Sequence, residues 1–214
     1  MSCCCGHNQS TGRLFSFMAR RFGKRYRKKG FSDTQRQLVE GLRREGFDGA
    51  SLLEIGSGVG YLHQNLLKQG AERATGIDLA PKMLSEARRY AADAGLTERT
   101  SYVEGDFVAI AETIEPADVT ILDKVICCYP DADGLVHQSL ARTKRVYGLT
   151  YPRDRWFTRF GSRVNAVLMW IIRSDYRSYV HDPKQVQAWI EQAGFRKDYE
   201  NQTAVWLTQV YSRG

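Results

Sequence analysis

The sequence predicts an α/β fold: one doubly wound sheet of seven strands, mostly parallel, that closes with an antiparallel C-terminal hairpin. Three observations predict it. Apolar, strand-like runs alternate with amphipathic helical segments along most of the chain, the pattern of a parallel sheet with helices on both faces. Helix punctuation falls between those runs, with Pro81 and Pro183 in first turns and Gly46, Gly70, Gly95 and Gly194 at helix ends. The last two apolar segments are separated only by Gln202 and Thr203, too few residues for a crossover helix.

The elements follow in order. "SDTQRQLVEGLRREG" reads as a helix, with Thr34 and Gln37 in capping-box spacing and Leu38 and Leu42 as an i, i+4 apolar pair. Strands are predicted over 50–55 and 73–78, with the helix "YLHQNLLKQG" between them and "PKMLSEARRYAADAG" after them. "TSYVE", a short helix near 107–112, a strand over 117–123, a helix over about 132–142 and the strand "KRVYGLTYP" continue the alternation. An aromatic, apolar helical insertion at about 152–182 interrupts it, and "DPKQVQAWIEQAGF" then precedes the hairpin.

A chain of 214 residues implies one domain, here 32–214, preceded by a leader over 1–31. The net charge of +7 belongs to that leader, which carries eight basic residues and no acid, whereas the remainder nets −1. Leu14, Met18, Phe22 and Tyr26 recur every fourth residue, with Phe15 beside them, giving a basic helix with an apolar stripe. Such a helix can lie over an active site, or touch an acidic membrane surface transiently. The start lacks a secretory pattern, and the longest apolar run, "VNAVLMWII", is too short to span a bilayer. The expectation is a cytoplasmic protein. Five cysteines, Cys3 to Cys5 and Cys127 with Cys128, form no disulfide framework, and their spacing assigns no metal site.

"LLEIGSGVG" holds the chemistry. A P-loop would need Gly-Lys-Ser or Gly-Lys-Thr, and a dinucleotide fingerprint would need glycine where Tyr61 stands. What remains is E-x-G-x-G-x-G: Glu54, Gly56, Gly58 and Gly60. With "TGIDLAPKML" and "VEGDFV" at successive strand ends, the sequence resembles the class I S-adenosylmethionine-dependent methyltransferases, a Rossmann-like fold. The resemblance implies S-adenosyl-L-methionine as methyl donor. It also implies that Glu54 and the glycine loop lie near its methionine part and that Asp78 accepts from both ribose hydroxyls. Leu79 and Met83 would flank the adenine, with Asp106 accepting from its amino group and Phe107 beside the ring. Asp123, closing the fourth strand, joins this cofactor-binding set.

The acceptor is less sharply specified. "LDKVICCYPD" lacks the Asn/Asp-Pro-Pro-Tyr turn of methyltransferases acting on nucleic-acid bases or glutamine, so a nucleic-acid partner is disfavoured. The segment is similar to small-molecule methyltransferases and more faintly to the magnesium-protoporphyrin O-methyltransferase group. That similarity implies a small apolar acceptor methylated on a carboxylate or hydroxyl. Trp156, Phe157, Phe160 and Trp170 could wall its pocket, and Arg153, Arg155 or the leader could meet its carboxylate. His181, beside Asp182, is the candidate base, and Tyr129 a candidate wall or catalytic residue. His63 and His137 read as structural or exposed. Three alternatives stay open: a non-catalytic cofactor-binding protein that contacts a membrane or partner, a nucleic-acid methyltransferase, and thiolate-assisted methylation of a metalloid through Cys127 and Cys128.

Overall fold

The structure is a computed structural model that describes residues 5–214, with side chains from His7 onward. Cys3 and Cys4, and the side chain of Cys5, lie outside what is described. Two helices, α1 (Cys5–Lys29) and α2 (Asp33–Glu45), precede the sheet. Then come β1 (Ser51–Ile55), α3 (Tyr61–Lys68), β2 (Arg73–Asp78), α4 (Pro81–Asp93), β3 (Thr100–Glu104), α5 (Phe107–Ile110), β4 (Ala117–Asp123) and α6 (Ala132–Ala141). After β5 (Thr143–Pro152) come the inserted helix α7 (Trp156–Ile171), α8 (Pro183–Gln192), β6 (Arg196–Gln202) and β7 (Trp206–Ser212).

The sheet has seven strands in the order β3-β2-β1-β4-β5-β7-β6, parallel except that β7 runs antiparallel to both β5 and β6. The predicted α/β class and closing hairpin are thus observed. The hairpin connection is residues 203–205, because β6 continues through Gln202.

Alternation within the strands explains why the sheet is buried on both sides. Leu52, Val119, Ile121 and Val146 pack with Leu38 and Leu42 of α2 and Leu62 and Leu66 of α3. Their neighbours Leu53, Leu122 and Leu149 point the other way, toward Leu135, Val186 and Ile190. Successive side chains of a strand face opposite sides, so a strand buried throughout needs apolar residues without interruption.

Two local details differ from expectation. The start of α2 is capped at Ser32, whose backbone N–H donates to Gln35 Oε1 at 3.1 Å, not by Thr34 and Gln37. On α1, Phe15, Ala19, Phe22 and Tyr26 pack against Val59, Ala80 and Met83, so the stripe runs through Ala19 and leaves Leu14 and Met18 aside. Gly12 lets α1 come close: a Cβ there would lie 2.7 Å from the Leu79 carbonyl oxygen.

The strand order reverses between β1 and β4, whose carboxyl ends diverge into loops on opposite sides. In open α/β sheets this is where ligands bind.

Candidate active site

A cavity of about 700 Å³ opens at those carboxyl ends. Glu54 and the glycine loop of β1, Asp78 of β2, Asp106 after β3 and Asp123 of β4 all line it, together with Leu79, Met83, Phe107 and Tyr129. Every position assigned to the cofactor except Gly60 therefore faces one space; Gly60 caps α3 with φ 72° just behind it.

Asp78 anchors the loop. Its Oδ2 accepts the Gly58 N–H and its Oδ1 the Ala80 N–H, both at 2.8 Å. Burial nevertheless raises its pKa to about 6, the two backbone donors only partly opposing the loss of water. Gly58 has φ 53°, and a Cβ there would enter open space. A glycine turn that leaves the cavity clear, beside a desolvated carboxylate with spare lone pairs, suits a ligand bearing paired hydroxyls.

Glu54 is committed to a buried chain. Its Oε2 accepts from His63 Nδ1 at 2.6 Å and from the His63 N–H at 3.2 Å. His63 Nε2 then takes the Tyr102 hydroxyl at 3.0 Å, and Gln64 donates to that hydroxyl at 2.7 Å. Burial pushes the Glu54 carboxyl up and His63 pulls it back. His63, fully buried, is the side-chain hydrogen-bond partner of this acid, a role not visible from its helical position alone.

Asp106 caps α5, accepting from the Val108 N–H at 3.2 Å and the Tyr129 hydroxyl at 2.7 Å. Its other oxygen accepts from Asn8 of α1 at 2.8 Å. Asp123 accepts from Gln35 at 2.9 Å, and the same Gln35 amide donates to the Tyr26 hydroxyl at 2.9 Å. Burial, with Asp123 next in effect, raises Tyr26 to about 12, so it stays a neutral phenol. Lys124 follows with φ 62°, a left-handed conformation uncommon outside glycine, and its ammonium lies 3.3 Å from Asp123 and 5.3 Å from the Trp206 ring centre. Such backbone strain concentrates at functional sites.

Some expected residues stand elsewhere. His181 does not line the cavity: its Nε2 lies 2.9 Å from the Ile126 carbonyl, its ring stacks on Tyr179, and burial lowers its pKa. This placement offers the acceptor no base. The insertion aromatics are also absent from the wall, because Trp156, Phe157, Phe160 and Trp170 are all exposed on α7. Arg153 instead donates to the Thr203 carbonyl, and Arg155 sits at the N-terminus of α7. The wall beyond the cofactor positions comes from Phe15, Phe22, Arg25 and Tyr26 of α1, with Tyr176 and Trp206. Cys127 and Cys128 line it too, with sulfurs 3.7 Å apart and Cys128 3.2 Å from the Tyr176 hydroxyl. The Cys127 thiol hydrogen bond holds Cys128 below its ordinary value.

Comparison with known proteins agrees with this geometry. Residues 52–147 match the methyltransferase domain family. Residues 52–147 thus carry a methyltransferase domain, which implies S-adenosylmethionine as the methyl donor. It is 25% identical over 169 residues to a ubiquinone biosynthesis O-methyltransferase of Photorhabdus laumondii, covering 73% of this chain and 67% of that one. The chain thus spans about two thirds of that relative's length. The fold matches magnesium protoporphyrin IX methyltransferase of Synechocystis PCC 6803, with TM-score 0.65, 16% identity and coverage of 98% and 84%. The methyltransferase in complex with the Haloferax volcanii Trm112 activator gives TM-score 0.72 and 15% identity, with coverage of 94% and 96%.

Proposed function

We propose that this methyltransferase acts on an oxygen of a small, apolar, ring-bearing acceptor, a carboxylate in the first instance. The observation that carries the reading is the far wall of the cavity. Aromatic residues Phe15, Phe22, Tyr26, Tyr176 and Trp206 form it, and its cations are Arg25 and Lys124. An aromatic wall suits a planar apolar body, and the cations suit one anionic group on it. The relatives named ubiquinone biosynthesis O-methyltransferases support transfer to an oxygen.

Bound S-adenosylmethionine supplies an electrophilic methyl group on a sulfonium. The chain's part is to place both reactants and exclude water. Asp78 holds the Gly58 loop and would offer its remaining lone pairs to the ribose hydroxyls. Glu54 and the glycine loop would border the methionine part. Leu79, Met83 and Phe107 would flank the adenine, and Asp106 would receive its amino group. Tyr129 orients Asp106 through its hydroxyl. A carboxylate acceptor arrives ionised and requires no base, which accords with His181 standing off the cavity. Free Cys127 and Cys128 accord with a reducing, cytoplasmic setting.

The test is release of S-adenosylhomocysteine in the presence of aromatic and polyisoprenoid-like carboxylic acids, matched phenols and matched amines. Turnover of the acids above the other classes supports the reading. Turnover confined to amines would refute it, and binding of the donor without turnover of any class would favour a non-catalytic role.

A further inference from the structure

We infer that α7 docks the protein onto an anionic lipid surface, lying in the plane of the interface. The helix is inside out. Its polar residues Thr158, Ser162 and Asn165 face the protein: Thr158 donates to the Arg153 carbonyl at 2.6 Å, Asn165 to the Ser178 hydroxyl at 3.2 Å, and Ser162 to the Ser178 carbonyl. Most of its apolar residues are exposed. Trp156, Phe160, Val164, Val167 and Ile171 form one continuous stripe at helical spacing, and none of the helix is buried. A globular fold turns a helix the other way.

The occupant is chosen by charge and by the ends of the stripe. Residues 153–177 carry six arginines and two aspartates. Arg159 pairs with Asp154, whereas Arg163, on the edge of the stripe, has no ion-pair partner among the described residues. Trp156 and Trp170, 79% and 71% exposed, sit at opposite ends of the helix, where indole rings suit a lipid headgroup boundary. A second copy docked by a twofold axis would set the same arginine-edged patch against itself, whereas lipid phosphates complement it. No helix of the described residues is long and apolar enough to cross a membrane, so the contact is monotopic. The outer face of α1 repeats the chemistry: Phe17, 88% exposed, lies between Arg13 and Arg21. Directly after α7, Asp175 and Tyr176 touch Ser10 and Phe15 of α1, so the two faces are joined. The inference does not depend on the identity of the acceptor.

The experiment is co-sedimentation of the full chain with vesicles of phosphatidylcholine alone or with about 30% phosphatidylglycerol, read together with tryptophan emission. The expected result is binding to the anionic vesicles with a blue shift. The double variant Phe160→Glu, Val167→Glu keeps every leader charge and lowers the partition coefficient by about tenfold or more, with thermal unfolding unchanged. Equal binding of wild type and variant would assign the contact to α1 alone and overturn the inference. So would absence of binding to anionic vesicles, or a dimer in sedimentation equilibrium that the variant dissolves.

Discussion

Asp78 gives the prediction that can be worked furthest from structure. Its pKa stands at about 6 in the fold, against an ordinary 3.8. The folded value is raised, so the fold disfavours the ionised carboxyl. Well below pH 3.8 the group is protonated in both states and costs nothing; well above pH 6 it is ionised in both, and the fold carries the whole penalty. A shift of about two units corresponds to roughly 3 kcal/mol, of which about 1.4 kcal/mol develops between pH 5 and 7.5. Because Asp78 faces the cavity, these are upper bounds. The assay is urea unfolding of ligand-free wild type and Asp78→Ala across that range. The difference between the two proteins isolates this group from others that titrate in both. The cost of the substitution should shrink as pH rises from 5 to 7.5, because the wild type progressively loses its advantage. Saturating S-adenosylhomocysteine should flatten the wild-type trend, since ribose hydroxyls donating to the carboxylate lower its pKa. A stability difference independent of pH would refute the account of Asp78 as a desolvated carboxylate. Donor binding weakened by less than twofold in Asp78→Ala would refute its role toward the ribose.

Gly58→Ala should weaken donor binding at least tenfold in calorimetric titration, because the added methyl enters the cavity and a left-handed backbone costs about 1 kcal/mol outside glycine. His63→Ala leaves Glu54 buried without its side-chain hydrogen-bond partner and should destabilise the fold by about 2 kcal/mol or more in urea unfolding. His181→Ala should keep kcat and its pH profile within about twofold, as expected of a ring off the cavity; loss of activity together with the acidic limb would restore it as the base. Tyr129→Phe removes one hydrogen bond to Asp106 and should raise the donor Kd by roughly three- to tenfold.

Much of the fold was legible because its signals are local. The bounds of β2 and β4 follow from apolar runs closed by Asp78 and Asp123, and α4 and α8 from prolines in their first turns. Asp78, Asp106 and Asp123 were legible because each ends a strand or starts the next helix, and Glu54 because it precedes the glycine turn. What escaped depends on contacts distant in sequence. Glu54 and His63 meet only when α3 folds back over β1, and Gln35 reaches Asp123 across 88 positions. Two overlapping capping patterns, Ser32 with Gln35 and Thr34 with Gln37, satisfied the same rule, and packing of α2 chose between them. For α7, periodicity revealed an apolar face but not which way it turned, and the expectation of an inward face was wrong.

The seating of α1 carries a kinetic consequence. Asn8 holds Asp106 and Gly12 rests on the Leu79 backbone, so this helix spans the ends of β2 and β3 above the very groups proposed to receive the nucleoside. A nucleoside bound there would lie against this helix, so its residence time and the local opening of the helix should be linked. Amide hydrogen exchange along residues 7–29 should slow when the nucleoside is bound.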